Sequence, residues 1–305
     1  MKKNLLGIVV LTTILSLCFS SAVFAAGEPV TVEEVVTIDR NGLKMVATFT
    51  YSKDVEKAPV VVMFHGFTGQ RNEMDIVGGT ETMYGRTARI FAEQGYASLR
   101  IDFIGSGESD GKWENTTVSG QINDALAAIE YVKTLDRVDA DRIALLGLSQ
   151  GGTVAVCTAS RSEDVDAVIL WSAVSIPQFV YSNLLGQDNV LKALKSDNPE
   201  ELIVGTLPWG ATTTLKANFY QDFFLLSPSA EIASYKGPLQ VTVGLMDTIV
   251  YPQPYAGQIL LQYHEGYEEL VIMDDADHML NILTGDSSTL DRAILNALDF
   301  LKSNI

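Results

Sequence analysis

The sequence predicts an α/β protein built on a mostly parallel central sheet with helices on both faces and an inserted lid. Three observations carry this. Near-continuous apolar runs fall at residues 60–64, 96–101, 142–148, 165–171, 239–243 and 270–273; helical periodicity lies between them; and one long segment, 174–236, breaks the rhythm. Runs this apolar belong to strands buried on both faces, the setting of parallel strands joined through helices.

Taken in order, the chain opens with Lys2 and Lys3, a largely apolar run at 5–19 and the small-residue end Val23-Phe24-Ala25. This is the pattern of a secretory signal peptide cut after about Ala25, so 1–25 is expected to be removed and the protein exported, either secreted or periplasmic. The run is short for a span of ~20 residues, and no stable membrane span is expected after cleavage. Cys18 follows Leu15-Ser16-Leu17, and the bulky Leu17 fits lipoprotein processing poorly. Residues 26–305 then read as a single domain. Residues 30–38 and 43–51 alternate around Asn41-Gly42, a hairpin signal that starts the sheet with antiparallel strands. Ile122, Ala125, Leu126, Ile129 and Val132 trace one helical face, and Leu290, Ile294, Ala297, Leu298 and Leu301 trace another. Segment 174–236 carries helical and aromatic stretches with no convincing strand. It is far longer than an ordinary connection of ~2–6 residues, and reads as a lid over the C-terminal sheet edge, where open α/β sheets bind ligands.

Composition narrows the function. The 305 residues hold 21 Lys and Arg against 38 Asp and Glu, a formal charge of -17, which argues against binding phosphate backbones of nucleic acid. Two cysteines exclude a zinc ribbon or a multi-bridge scaffold, and Cys157 reads as a small buried hydrophobe on a helix. Only three histidines are present, so any imidazole base must be chosen from His65, His264 and His278.

Gly147-Leu148-Ser149-Gln150-Gly151 ends an apolar strand and opens an Ala/Val-rich helical segment. That context makes it a nucleophile elbow: a sharp turn with little bulk two residues either side, the serine raised above the sheet, and helix N-terminal N–H groups aimed at a developing oxyanion. Ser149 is the expected nucleophile. His65, in His65-Gly66-Phe67-Thr68-Gly69, directly follows a strand where an oxyanion loop belongs; His264 lies at the wrong end of its strand; His278 follows the last strand on the catalytic edge and is the expected base. The acid should fall between serine and histidine after a strand ending on that edge, which Asp247 satisfies. Asp274, Asp275 and Asp277 read as a polar turn. The backbone N–H groups of Phe67 and Gln150 are the expected oxyanion donors. The region 100–111 reads as a structural loop near the site, because Asp110 stands where a dinucleotide fingerprint needs its third glycine.

With these residues in view the chain resembles an α/β-hydrolase, and more narrowly the bacterial cinnamoyl and feruloyl ester hydrolases. The likeness rests on His65-Gly66-Phe67-Thr68-Gly69; Arg100-Ile101-Asp102-Phe103 with Gly105, Gly107, Ser109, Asp110 and Gly111; Ser149-Gln150-Gly151-Gly152; Asp247-Thr248; and Ala276-Asp277-His278. It implies a Ser149, His278 and Asp247 triad working without metal or organic cofactor. It also implies small-molecule ester substrates, esterified plant polysaccharide fragments among them. Trp209, Phe219, Tyr220 and Phe223 are candidates to stack on a hydroxycinnamoyl group, with packing inside the lid as the other reading for each. The chain departs from the family at Leu148, where a histidine is common, and in the insertion, which matches poorly until Phe219-Tyr220. An exported serine peptidase or acylaminoacyl hydrolase of the same fold, and a catalytically silent binding module, remain alternatives.

Overall fold

All seven residues of Ala58–Phe64 are buried, as a strand covered on both faces requires, and this strand lies near the middle of the sheet. The structure, a computed structural model, describes residues 30–305; the expected signal segment and Cys18 lie outside the described residues. Strands β1 (Thr31–Arg40) and β2 (Leu43–Ser52) pair antiparallel. Their turn places Asn41 and Gly42 at φ 55° and 83°, the left-handed pair that a tight hairpin of matching twist demands.

The chain then alternates: β3 (Ala58–Phe64), α1 (Met83–Glu93), β4 (Ala97–Ile101), α2 (Val118–Val132), β5 (Val138–Leu148), α3 (Gln150–Ala159) and β6 (Ala167–Trp171). An inserted segment follows, holding α4 (Pro177–Leu185), α5 (Gln187–Lys195), β7 (Leu202–Thr206), β8 (Thr212–Lys216), α6 (Ala217–Leu225) and α7 (Pro228–Glu231). The sheet resumes with β9 (Leu239–Gly244), α8 (Tyr255–Leu261) and β10 (Glu268–Met273), and α9 (Ser288–Asn304) closes the chain. Strand order is β1-β2-β4-β3-β5-β6-β9-β10, antiparallel at the two β2 pairings and parallel from β4 onward. Among the described residues no helix is long and apolar enough to cross a membrane.

Alternation along β5 divides the interior. Ile143 and Leu145 join the core shared with α2, α3 and the insertion, while Ala144, Leu146 and Leu148 join a second core against α1 and α9. The sheet is thus packed on both faces, and its parallel strands all end on one edge.

The expectation that 174–236 holds no strand is overturned by the β7–β8 hairpin. Its inward side is only Ile203 and Gly205 on β7 and Thr213 and Leu215 on β8, a period-2 pattern five residues long and interrupted by glycine. Such a pattern is too short to stand out from loop sequence, and the threonines that favour strand geometry carry no hydrophobic signal. The turn closes through Leu207 N–H to Ala211 O and Gly210 N–H to Leu207 O, both 2.8 Å, with Gly210 at φ 86°.

Candidate active site

β5 ends in a turn that only glycine permits at two positions. A Cβ on Gly147 would overlap the Gly151 carbonyl, and one on Gly151 would overlap the carbonyls of Phe64 and His65. Between them Ser149 stands at φ 53°, ψ −116°, a conformation rare for a residue with a side chain, held by its N–H to Trp171 O at 2.9 Å. Tyr84 braces the turn from below: its hydroxyl donates to Phe64 O (2.9 Å) and accepts from Leu148 N–H (3.1 Å), tying the ends of β3 and β5 together.

His278 and Asp247 reach Ser149 from the loops after β10 and β9. His278 Nε2 lies 3.1 Å from Ser149 Oγ, and His278 Nδ1 lies 2.8 Å from Asp247 Oδ2. Because a carboxylate only accepts, Nδ1 carries the proton and Nε2 presents its lone pair to the serine. Asp247 Oδ1 accepts from the N–H groups of Ile249 (2.8 Å) and Val250 (2.9 Å). The nearer acids do something else: Asp277 Oδ1 accepts from Met279 and Asn281 N–H, and Asp275 pairs with Arg292.

The loop after β3 passes beside the serine, a Cβ on Gly66 falling 3.5 Å from Ser149 Cβ. The Gly66 carbonyl accepts from Gly69 N–H (3.1 Å) and from His65 Nδ1 (2.9 Å). In a trans peptide the N–H points opposite the carbonyl, so Phe67 N–H faces away from those donors. His65 is suited to this, since burial pushes its imidazole down to about 4 and keeps it neutral, Nδ1 donating while Nε2 accepts from Phe103 N–H at 3.4 Å. Gln150 N–H stands at the α3 N-terminus, and among the described residues neither it nor Phe67 N–H has a protein acceptor. The arrangement can pass a proton from Ser149 to His278 and receive an oxyanion beside two free backbone donors.

Several side-chain roles carried no sequence signal. The Gln150 side chain donates to Gln121 Oε1 (2.6 Å) and accepts from Tyr181 OH, linking the elbow to α2 and α4. The Phe67 ring packs against Trp113, Tyr181 and Phe219, with centroids 5.2–5.9 Å apart. Arg71 is bound to buried Asp102, which joins the loop after β3 to the segment after β4. His264 is buried just past the end of α8 and bonds to Gly237 O and Glu268, away from the site, as its place at the wrong end of its strand implied.

Ser149 and His278 open into a cavity of about 580 Å³ whose apolar wall includes Met74, Leu184, Trp209, Ile249, Met279 and Leu283. A shallower groove of about 500 Å³ shares Thr68, Gly69 and Trp209 with it and mixes apolar Trp113, Leu207 and Ala211 with polar Ser106, Glu114 and Thr212 to Thr214. Of the four aromatic candidates, Trp209 lines both. Phe219, Tyr220 and Phe223 do not line the cavity; they are fully buried inside the insertion, Phe219 and Phe223 against Tyr181 and Tyr220 against both phenylalanines, because their spacing on α6 turns them to its packed face. No Lys or Arg lines either space, and among the described residues no three His, Cys, Asp or Glu side chains gather as metal ligands.

Two family models match: X-Pro dipeptidyl-peptidase (S15 family) over residues 41–190 and BAAT / acyl-CoA thioester hydrolase C terminal over residues 126–280. The quorum-quenching protein AidA of Acinetobacter baumannii is 34% identical over 137 residues, 44% of this chain and 41% of that protein. Acylamino-acid-releasing enzyme 2 of Oryza sativa subsp. japonica is 24% identical over 81% of this chain and 31% of its own length. The chain thus spans about two fifths or less of these curated relatives. The ferulic acid-bound structure of Est1E from Butyrivibrio proteoclasticus superposes with a TM-score of 0.70 at 25% identity, covering 88% of this chain and 98% of that one.

Proposed function

The chain belongs to the α/β-hydrolase superfamily of serine hydrolases, matching the BAAT / acyl-CoA thioester hydrolase C-terminal family over half its length, and from that membership we propose that it is a carboxylic-ester hydrolase working through an acyl-enzyme. The observation that carries this is the continuous line from Asp247 through His278 to Ser149, facing two unpaired N–H groups. Ser149 Oγ attacks the ester carbonyl carbon as its proton passes to His278 Nε2. The N–H groups of Phe67 and Gln150 hold the oxyanion, and Asp247 holds the imidazolium. Collapse expels the alcohol, which takes the proton from His278. Water, deprotonated by His278, then attacks the acyl-enzyme and releases the acid.

The cavity supports short or aryl acyl groups, hydroxycinnamoyl esters of the feruloyl type among them. Its wall is largely apolar, Trp209 offers an exposed ring, and the adjoining groove offers Ser106, Glu114 and Thr212 to Thr214 as hydrogen-bonding partners for a hydroxylated alcohol. A coenzyme A thioester is disfavoured, since its phosphates would meet no cation in either space on a chain of formal charge -17. The second reading is acylaminoacyl or peptide hydrolysis, favoured by the S15 match and by the rice enzyme's similarity along most of the chain. Export through the Lys2-Lys3 and apolar 5–19 segment is part of the proposal.

Turnover of methyl ferulate, acyl p-nitrophenyl esters and aminoacyl anilides by wild type and Ser149→Ala tests the assignment. Ester turnover abolished by the substitution supports it, as does fluorophosphonate labelling lost with Ser149. Anilide preference moves the assignment to the peptidase reading, and full activity in a folded Ser149→Ala overturns both.

A further inference from the structure

We propose that Glu73 is a positioning residue for the oxyanion site: its buried carboxylate holds the Gly66 N–H and thereby fixes the direction of the next N–H along the chain, that of Phe67. The inference rests on the serine-esterase reading above.

Glu73 is 7% exposed and lies in the wall of the Ser149 cavity. Its carboxylate fits between two glycines: a Cβ on Gly69 would come within 2.9 Å of Oε2, and one on Gly66 within 3.5 Å of Oε1. Among the described residues no Lys, Arg or His pairs with it, and Oε1 accepts only from Gly66 N–H. Burying a carboxylate against one amide costs several kcal/mol and is a poor way to stabilise a fold. A gain in placement is the better account.

The geometry shows what is placed. Gly66 runs between Ser149 and Glu73, where an added Cβ would meet both at the ordinary contact distance of 3.5 Å, and glycine is the residue least able to hold its own φ and ψ. Both peptide planes flanking its Cα are held from outside. Glu73 takes the N–H on one side; Gly69 N–H and His65 Nδ1 take the C=O on the other. With both planes fixed, Phe67 N–H has one direction. Glu73 is itself anchored, its N–H donating to Gln70 O at 2.8 Å while Tyr84 N–H at the start of α1 bonds to Asn72 O at 3.2 Å. Release of the clamp leaves the fold but lets the donor swing, and an oxyanion donor off its line loses most of its effect.

The full chain carrying Glu73→Gln, Glu73→Ala and Glu73→Leu tests this on an aryl ester, with an aryl boronic acid as mimic of the tetrahedral adduct. Glu73→Ala and Glu73→Leu are expected to lower kcat by about 10-fold or more with KM within about 3-fold, and to weaken boronate binding by the same factor. Glu73→Gln keeps an oxygen acceptor of the same shape and is expected to recover most of both. Glu73→Leu fills the volume if Glu73→Ala fails to fold. Wild-type kcat in folded Glu73→Ala or Glu73→Leu, a loss confined to KM, or Glu73→Gln as poor as Glu73→Leu would overturn the proposal. Amide exchange at Gly66 separates the two readings. If the wild type has no ester turnover yet its Gly66 amide is protected and Glu73→Leu loses that protection, the esterase reading fails and the clamp stands; equal protection in both sinks the clamp.

Discussion

Asp247 gives one carboxylate oxygen to His278 Nδ1 at 2.8 Å and the other to the N–H groups of Ile249 and Val250 at 2.8 and 2.9 Å. Both oxygens are committed, so the carboxylate cannot turn. Asp247→Asn keeps the shape, but if its amide oxygen stays with the two backbone donors, its NH2 faces His278 and the ring must carry its proton on Nε2. A ring in that tautomer cannot accept from Ser149. The expected outcome is a kcat for p-nitrophenyl esters lower by about 10³–10⁴ with an unchanged circular dichroism spectrum. A loss under about tenfold would remove Asp247 from the mechanism.

Gly147 and Gly151 are expected to tolerate no side chain. An added Cβ would overlap backbone carbonyls rather than the end of a flexible side chain, so neither site can relax cheaply. Gly151→Ala forces β3 and the start of α3 apart at the serine itself. Destabilisation of about 2 kcal/mol or more is expected in urea unfolding, with esterase activity lost even where the protein folds. Wild-type stability for either alanine variant would mean the elbow is looser than drawn.

What could be read in advance follows the physics of each signal. The strands that form β3 to β6 and β9 were legible because burial on both faces leaves an unbroken apolar run, and Ser149 and Asp247 because each follows such a run on one sheet edge; His278 follows the shorter apolar stretch of the half-exposed edge strand β10 on the same edge. The β7–β8 hairpin was not, since its inward side has only two large apolar residues. Phe219, Tyr220 and Phe223 gave an ambiguous signal: aromatic spacing on a helix marks a packed face and a ligand wall alike, and only the position of Tyr181 decides for packing. Glu73 was silent, because a single carboxylate in a polar loop looks like any solvated charge until Gly66 and Gly69 are seen around it.

Cys157 lies on α3 with no exposed surface, and burial is the main reason its thiol is pushed far above the ordinary range. Thiolate chemistry should therefore require unfolding. In native buffer an aromatic disulfide reagent is expected to leave the protein unmodified for hours, and in urea the labelling rate should follow the unfolding transition. Fast stoichiometric labelling of the active folded protein would show that α3 opens locally.

Glu73 and His65 flank the Gly66 turn and titrate in opposite senses. Burial pushes the carboxyl up to about 7 from an ordinary 4.5, against the Gly66 N–H, which favours the anion. Burial pushes the imidazole down to about 4 from 6.5, against the Gly66 carbonyl and the charge of Asp102. Tyr84, on α1, is the titratable neighbour whose own proton feels the Glu73 charge. Between about pH 4.5 and 6.5 the folded chain keeps a Glu73 proton that the unfolded chain has lost, and lacks a His65 proton that the unfolded chain holds. Stability rises with pH only where the unfolded state binds more protons. Glu73 therefore contributes a slope of about −1.4 kcal/mol per pH unit and His65 about +1.4, and the two cancel in that window. Glu73→Gln removes the negative slope. Its stability relative to wild type is expected to climb by about 1 kcal/mol per pH unit from pH 4.5 to 7 and then level off, so the variant with slower or equal turnover becomes the more stable protein at neutral pH. His65→Asn lacks the positive slope and is expected to fall relative to wild type from pH 4 to 6.5. Urea midpoints at half-unit intervals measure both differences, and curves parallel to wild type for Glu73→Gln would show that this carboxyl titrates as an exposed one does.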